Sequence, residues 1–452
     1  MGLLQSNSTK LLLKKHPKAT NSYVIKGGKP LKGEVVVQGA KNAALPALVA
    51  ASLSDETVEL KNVPLELNDV NNLLALLREV GVKIEIKDEN TLTLNGEGWR
   101  SSELDPNIAS KIRHSLLLLG GSVTKDCSLY LPLAGGCEIG ERKHDLHVLA
   151  LENMGHDVIE SGEGIRVIPD LNDDVDHTEI EFYYPSFGAT LNVIFASVLC
   201  SGKITTLKNA AKNPEVLDVI HLLEQMGAIF NWKDESTLEI IGVNKLNGTS
   251  HQVMSDRIIV STMIAAIAVT KGNGTIIGGN ATVLETEVAT WRKAGLIIQQ
   301  KENGLFVDGN NKIKPVNIET KAYPGFHTDI QPLHAAIMLR ANGTSKIKEM
   351  ILDGRFLYCE ELNKLGAKTK IENGDFTCVN GAKGQIAIIN ESPPLIGVLN
   401  LIATDIRGGA AVVLASLAAN GISEITNVYQ IERGYSDLPE LIQTLGGNVQ
   451  RK

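Results

Sequence analysis

Aromatic side chains make up only 4% of the 452 residues, and the five cysteines (Cys127, Cys137, Cys200, Cys359 and Cys378) are an odd number with no Cys-x-x-Cys spacing. Such a set supports neither a disulfide framework nor a zinc centre, and it fits a reducing cytoplasm. Positive charge is also in deficit. A formal net charge of −8 argues against a nucleic-acid partner, although an anion pocket needs only a few Lys and Arg side chains facing one point. Long apolar runs are missing too: the stretches at 43–53 and 258–269 fall short of the roughly 18 to 20 residues that cross a bilayer. They read as buried helices, and no membrane partner is expected.

Gly, Ala, Leu, Ile and Val dominate instead, which suits close packing of helices and strands in an α/β or α+β protein. The length exceeds what one hydrophobic core usually organises, so two domains of about 200 residues are expected. Residues 1–22 have too short an apolar segment for a secretory signal and read as a flexible N-terminal extension.

One phrase recurs six times: a helical stretch, a glycine, then an alternating strand. Its copies include LLREVGVKIEI (76–86), LLEQMGAIF (222–230) and LNKLGAKTKI (362–371). The glycines Gly81, Gly155, Gly227, Gly295, Gly366 and Gly446 lie 74, 72, 68, 71 and 80 residues apart. A second phrase alternates with it: a polar start, an apolar helix of about a dozen residues, a turn and a strand. A helix that is apolar nearly all round belongs inside a layer of other elements.

The starts of those apolar helices carry Lys41 and Asn42, Lys111 and Arg113, Asp256 and Arg257, Asp329, and Asp405 with Arg407. Helix N-termini favour anions through their unpaired N–H groups and dipole. If several starts face one cleft, they form a polyanion pocket with two or three carboxylates among the cations. The plainer reading is that each Asp is a helix cap.

The stretches GAKNAALP (39–46), GGCEIGERKHDLH (135–147), PSFGAT (185–190), HTDIQ (327–331), GRF (354–356), ATDIR (403–407) and ERGY (432–435) resemble, in order, the motifs of the UDP-N-acetylglucosamine 1-carboxyvinyltransferase family of enolpyruvyl transferases. The resemblance runs from about residue 22 to the end. It implies two inside-out α/β barrel domains, each of three repeated βα units, with the active site in the interdomain cleft. The domains would be 41–252, bearing a lid loop, and 23–40 together with 253–452.

The activity implied is transfer of the enolpyruvyl group of phosphoenolpyruvate to the 3-hydroxyl of UDP-N-acetylglucosamine with release of phosphate, the first committed step of peptidoglycan precursor synthesis. No metal or cofactor is implied, and the enzyme would be a cytoplasmic monomer or weak homo-oligomer. Carried over by motif, Asp329 is the base beside the sugar hydroxyl, and Cys137 is the lid thiol that the family uses as proton donor or in product release and that fosfomycin alkylates. Lys41 and Asp405 complete the catalytic set. Lys41, Arg113, Arg142, Arg407 and Arg433 form the cationic set for phosphoenolpyruvate, with Arg355 in support. Asn42 touches the sugar. Arg142, Lys143, His144, Asp145 and Leu146, with Ser186, Phe187, Gly188 and Ile351, make the nucleotide-sugar contacts. Arg142, Lys143 and His144 would also favour the Cys137 thiolate, and the flanking glycines would let the lid swing.

Glu141, Lys143, Tyr184, Gly354 and Gly408 depart from the family pattern, and the segment 384–407 is longer. Most of these departures lie on the nucleotide-sugar side. They leave room for a paralogue acting on another nucleotide or nucleotide-sugar acceptor. The other alternative, a non-catalytic sugar-nucleotide binding protein, is expected to have lost Cys137, Asp329 or an anion-binding arginine, and all are present.

Overall fold

The computed structural model describes residues 22–132, 144–170 and 176–452. Its strands form six four-stranded sheets, and all six have the same pairing. In one, Ser102–Glu103 lies parallel to Leu129–Pro132, which pairs antiparallel with Gly164–Ile168, which pairs antiparallel with Asp157–Glu160. In four sheets an apolar helix supplies the crossover that the parallel pair needs. In the other two, Lys32–Val36 with Asn273–Ile277 and Ser250–Gln252 with Val58–Lys61, the helices Lys41–Ala51 and Arg257–Val269 each lead from one of these sheets into the other. In five sheets an outer helix then leads into a closing hairpin; in the sixth it leads to Val449–Arg451, which pairs with Ser22–Lys26.

The six apolar helices are Lys41–Ala51, Leu117–Thr124, Phe187–Ser197, Arg257–Val269, Gln331–Met338 and Ile406–Ala418. Every residue of Arg257–Val269 is buried, and it touches both Gln331–Met338 and Ile406–Ala418. Leu117–Thr124 likewise touches both Lys41–Ala51 and Phe187–Ser197. Helices therefore fill the inside and sheets form the wall, which is the inside-out α/β barrel architecture. There are two hydrophobic cores: one runs from Ala40 to Val253, and the other combines Tyr23–Val37 with residues from Ile258 to Val449. No described helix is long and apolar enough to cross a membrane.

All six repeat glycines have positive φ, between 80° and 111°. Each follows an outer helix, and the next residue donates its N–H back into the last turn, as Val82 does to Leu77 at 2.9 Å and Ala228 to Leu223 at 2.9 Å. That bond closes the helix in the left-handed region, where a side chain is penalised. The longest glycine interval also has a cause. The hairpin strands Lys368–Thr377 and Lys383–Asn390 have ten and eight residues, against four or five in most of the others.

The chain passes between the cores twice, and the two crossings pair with each other. The Ala40 N–H donates to Met254 O at 2.8 Å and the Asp256 N–H to Gln38 O at 2.9 Å. One boundary needs correction. Ser22, expected in the extension, begins strand Ser22–Lys26, pairs with Thr426 and donates its hydroxyl to Glu424. A sheet partner on either side orders it.

Candidate active site

A cavity of about 370 Å³ opens between the two cores, and residues from the starts of all six apolar helices line it. Lys41, Asn42, Arg113, Ser186, Phe187 and Gly188 come from the first core. Asp329, Ile351, Arg355, Arg407 and Arg433 come from the second. The N-terminal ends of the helices thus converge, as a polyanion pocket requires.

The second wall is organised around Asp329. Its Oδ1 accepts from Arg355 Nη2 at 2.6 Å, and its Oδ2 lies 3.5 Å from Arg407 Nε. Asp329 is not a helix cap: the helix begins at Gln331 after Ile330, without a side-chain cap. Asp405 is one. Its Oδ1 accepts from the N–H groups of Arg407 and Gly408, both at 3.0 Å, and sits 3.9 Å from Arg355 Nη1. Asp405 does not itself line the cavity.

Arg355 and Arg407 are 2% and 4% exposed. Burial alone would pull both pKa values down. For Arg355 the carboxylates of Asp329 and Asp405 reverse this; for Arg407 the reversal comes from Tyr435 and then Asp329. Both stay charged. Arg257 Nη1, Arg355 Nε and Arg407 Nη1 are buried nitrogens without a protein hydrogen-bond partner. Unused donors on three cleft arginines are a costly arrangement unless an anion completes it.

On the first wall Lys41 Nζ binds Asp69 Oδ2 at 2.9 Å and the Arg433 carbonyl at 3.4 Å, so it touches both lobes. Ser186 caps its helix through the Ala189 N–H. Gly188 is small of necessity, because a Cβ there would lie 2.9 Å from the His147 ring. His147 is buried, and burial, then the Arg113 charge, pushes its pKa down to about 3. Its Nδ1 receives Asn192 Nδ2 at 2.6 Å.

Three expected contacts lie apart from the cavity. His144 pairs with Glu160 at 3.0 Å, Asp145 accepts from the Tyr183 hydroxyl at 2.9 Å, and Leu146 is packed in the first core. Lys111 is exposed. Cys137, Arg142 and Lys143 lie outside the described residues.

The structure adds groups that motif reading missed. Glu215 pairs with Arg257 in the cavity wall, Asp69 holds Lys41, and His327 stands beside Asp329. Glu349 accepts from Thr328 Oγ1 and from the Ile351 N–H, at 3.0 and 2.9 Å. Glu215 follows Pro214 at the start of an outer helix, where an acid is ordinary, so only its spatial partner sets it apart.

A family model described as EPSP synthase (3-phosphoshikimate 1-carboxyvinyltransferase) matches residues 25–442. A UDP-N-acetylglucosamine 1-carboxyvinyltransferase of Halothermothrix orenii is 35% identical over 430 residues, spanning 95% of this chain and 99% of its own. UDP-N-acetylglucosamine 1-carboxyvinyltransferase 1 of Carboxydothermus hydrogenoformans is 37% identical over 429 residues, with 95% and 98% covered. Among solved structures, the enolpyruvyl transferase NikO from Streptomyces tendae aligns with a TM-score of 0.83 at 22% identity, over 95% of this chain and 98% of NikO. An EPSP synthase from Acinetobacter baumannii reaches 0.74 at 17% identity, over 96% and 100%. These last two support the fold alone. By the extent of the family match and the identity to its relatives, the chain belongs to the carboxyvinyl (enolpyruvyl) transferase family, alongside the UDP-N-acetylglucosamine 1-carboxyvinyltransferases.

Proposed function

We propose that this enzyme transfers the enolpyruvyl group of phosphoenolpyruvate to the 3-hydroxyl of UDP-N-acetylglucosamine and releases phosphate, in the cytoplasm and as a step of peptidoglycan precursor synthesis. The observation that carries the reading is the set of buried, partly unpaired arginines gathered around one carboxylate, Asp329, in a cleft between two cores. Phosphoenolpyruvate brings a phosphate and a carboxylate, and planar guanidinium groups match both with paired hydrogen bonds. Lys41, Arg113 and Arg433 add charge along the same cleft.

In this reading Asp329 takes the proton of the sugar hydroxyl as its oxygen attacks C2 of the enol, while C3 gains a proton from Cys137. Loss of a proton from C3 then expels phosphate and restores the double bond. The lobes 41–252 and 23–40 with 253–452 act as separate bodies that close on the substrates. Asn42, Ile351 and the Ser186–Gly188 turn serve the acceptor side, as do Arg142 and Lys143.

A second reading concerns the acceptor. Tyr184, Phe187 and His114 line that side of the cavity, and the His114 and Phe187 rings meet edge-on at 6.2 Å. Such a wall suits a nucleotide acceptor whose sugar differs. Phosphate release from phosphoenolpyruvate, measured against a panel of nucleotide sugars, tests both readings. Release should require an acceptor and be fastest with UDP-N-acetylglucosamine. Release with no acceptor contradicts the transfer scheme, and a faster rate with another nucleotide sugar selects the second reading.

A further inference from the structure

We propose that His327 is a positioning residue for Asp329: its imidazole holds the 327–330 turn that aims the Asp329 carboxylate. The inference deepens the reading above and rests on the role given there to Asp329.

His327 Nδ1 accepts the Asp329 backbone N–H at 3.1 Å, and the His327 carbonyl accepts the Ile330 N–H at 2.9 Å. The imidazole therefore does what an Asn carboxamide does in an Asx turn, bonding the N–H two residues on. The turn is also tied down from outside. The His327 N–H donates to Glu287 Oε1 at 2.9 Å, Thr328 Oγ1 donates to Glu349 Oε2 at 3.0 Å, and the Thr328 carbonyl accepts from Arg355 Nη2 at 3.1 Å. Asp329 lies just before its helix and lacks the backbone ladder that would otherwise fix it. The Nδ1 bond is thus a direct tie on the Asp329 backbone, beside the two arginines on its carboxylate.

The bond needs a neutral ring. His327 lines the cavity among Arg257, Asp329, Glu215, Arg355 and Glu287. Burial, then the Arg257 charge, pushes its pKa down to about 4, against the opposing pull of Asp329 and Glu215. Near neutral pH, Nδ1 thus keeps its lone pair for the Asp329 N–H, and the ring proton sits on Nε2. Protonation at Nδ1 would set two donors against each other and open the turn.

The test compares His327→Asn, His327→Gln and His327→Ala. Asn presents an acceptor at the Nδ1 position, Gln presents one a methylene further out, and Ala presents none. We expect kcat to fall by about three- to tenfold in the Ala and Gln variants, with KM for phosphoenolpyruvate little changed, and the Asn variant to recover most of the loss. The acid limb of kcat should also lie lower in pH for the Asn variant than for the unaltered enzyme, because its acceptor does not titrate. Hydrogen exchange at the Asp329 amide reads the bond without reference to turnover: protection should persist in Asn and drop in Gln and Ala. Equal protection in all three, or an Asn variant as slow as Ala, overturns the positioning role. If the unaltered enzyme turns over no acceptor, the transfer reading fails, while the exchange pattern still decides the role of the imidazole.

Discussion

Arg257 and Glu215 pair side-on across the two lobes, with Nε to Oε1 at 2.8 Å and Nη2 to Oε2 at 3.3 Å. Glu215 begins the outer helix Pro214–Gln225 beside the first core, and Arg257 starts the buried helix Arg257–Val269 of the second. They are 3% and 2% exposed. A charge pair this dry ties the lobes together only while both partners are present.

Glu215→Gln should therefore cost roughly 3–5 kcal/mol by removing the directly bonded partner of a buried guanidinium. The double change Glu215→Leu with Arg257→Met should restore most of that loss, since well-packed apolar groups often replace buried pairs without penalty. Urea unfolding curves of the three proteins check it. A single variant as stable as the unaltered chain would show that water reaches the pair.

Asp329→Asn should lower kcat by about 10²- to 10⁴-fold if the carboxylate is the base, with acceptor affinity nearly unchanged. Phosphate-release kinetics and a binding titration measure the two effects separately. A variant that mainly weakens acceptor binding would make Asp329 a contact and not a base.

Arg407→Lys should raise KM for phosphoenolpyruvate by about 10- to 100-fold, the range for losing a hydrogen bond to a charged group. A lysine keeps the charge but loses the planar fork that spans Asp329 and a ligand. Arg407 also lies 5.0 Å above the Tyr435 ring, a stacking that an ammonium fills poorly. Unchanged KM would exclude a guanidinium-specific contact.

Two repeat glycines in the same motif should respond differently. Gly366 has φ of +96° and open space where a Cβ would stand, so Gly366→Ala should cost only the left-handed penalty, about 1–2 kcal/mol. Gly81 has φ of +100°, and its Cβ would collide with the Gly98 carbonyl. Gly81→Ala should cost roughly 3 kcal/mol or more, since backbone must also move. Equal losses would mean that packing around Gly81 yields easily.

His334 gives a pH signature away from the cleft. Burial pushes its pKa down to about 4, from an ordinary 6.5, while Nε2 bonds the Val316 carbonyl at 3.0 Å. The unfolded chain binds this proton more tightly, so the neutral ring costs nothing above about pH 6.5. Stability is lost as pH falls from there toward about 4, by up to about 1.4 kcal/mol per pH unit. His334→Gln, which keeps a donor, should flatten the fall of the unfolding midpoint with pH by about one proton. An unchanged slope would show that the ring titrates normally.

Periodicity and glycine spacing were enough to predict six repeats, their buried helices and the charged helix starts, because these depend on neighbours a few residues apart. The HTDIQ and ATDIR stretches stood out for the same reason, as short local patterns, and Asp329 and Arg407 from them line the cleft. Which charges complete one another was not. Lys41 meets Asp69 across 28 residues of chain, Arg257 meets Glu215 across 42, and Arg407 meets Asp329 across 78. Taken singly, Asp69 and Glu215 are acids in the first turn of outer helices, and His327 is one histidine among ten. The paired crossings at Ala40–Met254 and Gln38–Asp256 bring these helix ends into one cleft. Coulomb attraction in a water-poor gap then distinguishes partners that composition and spacing leave equivalent.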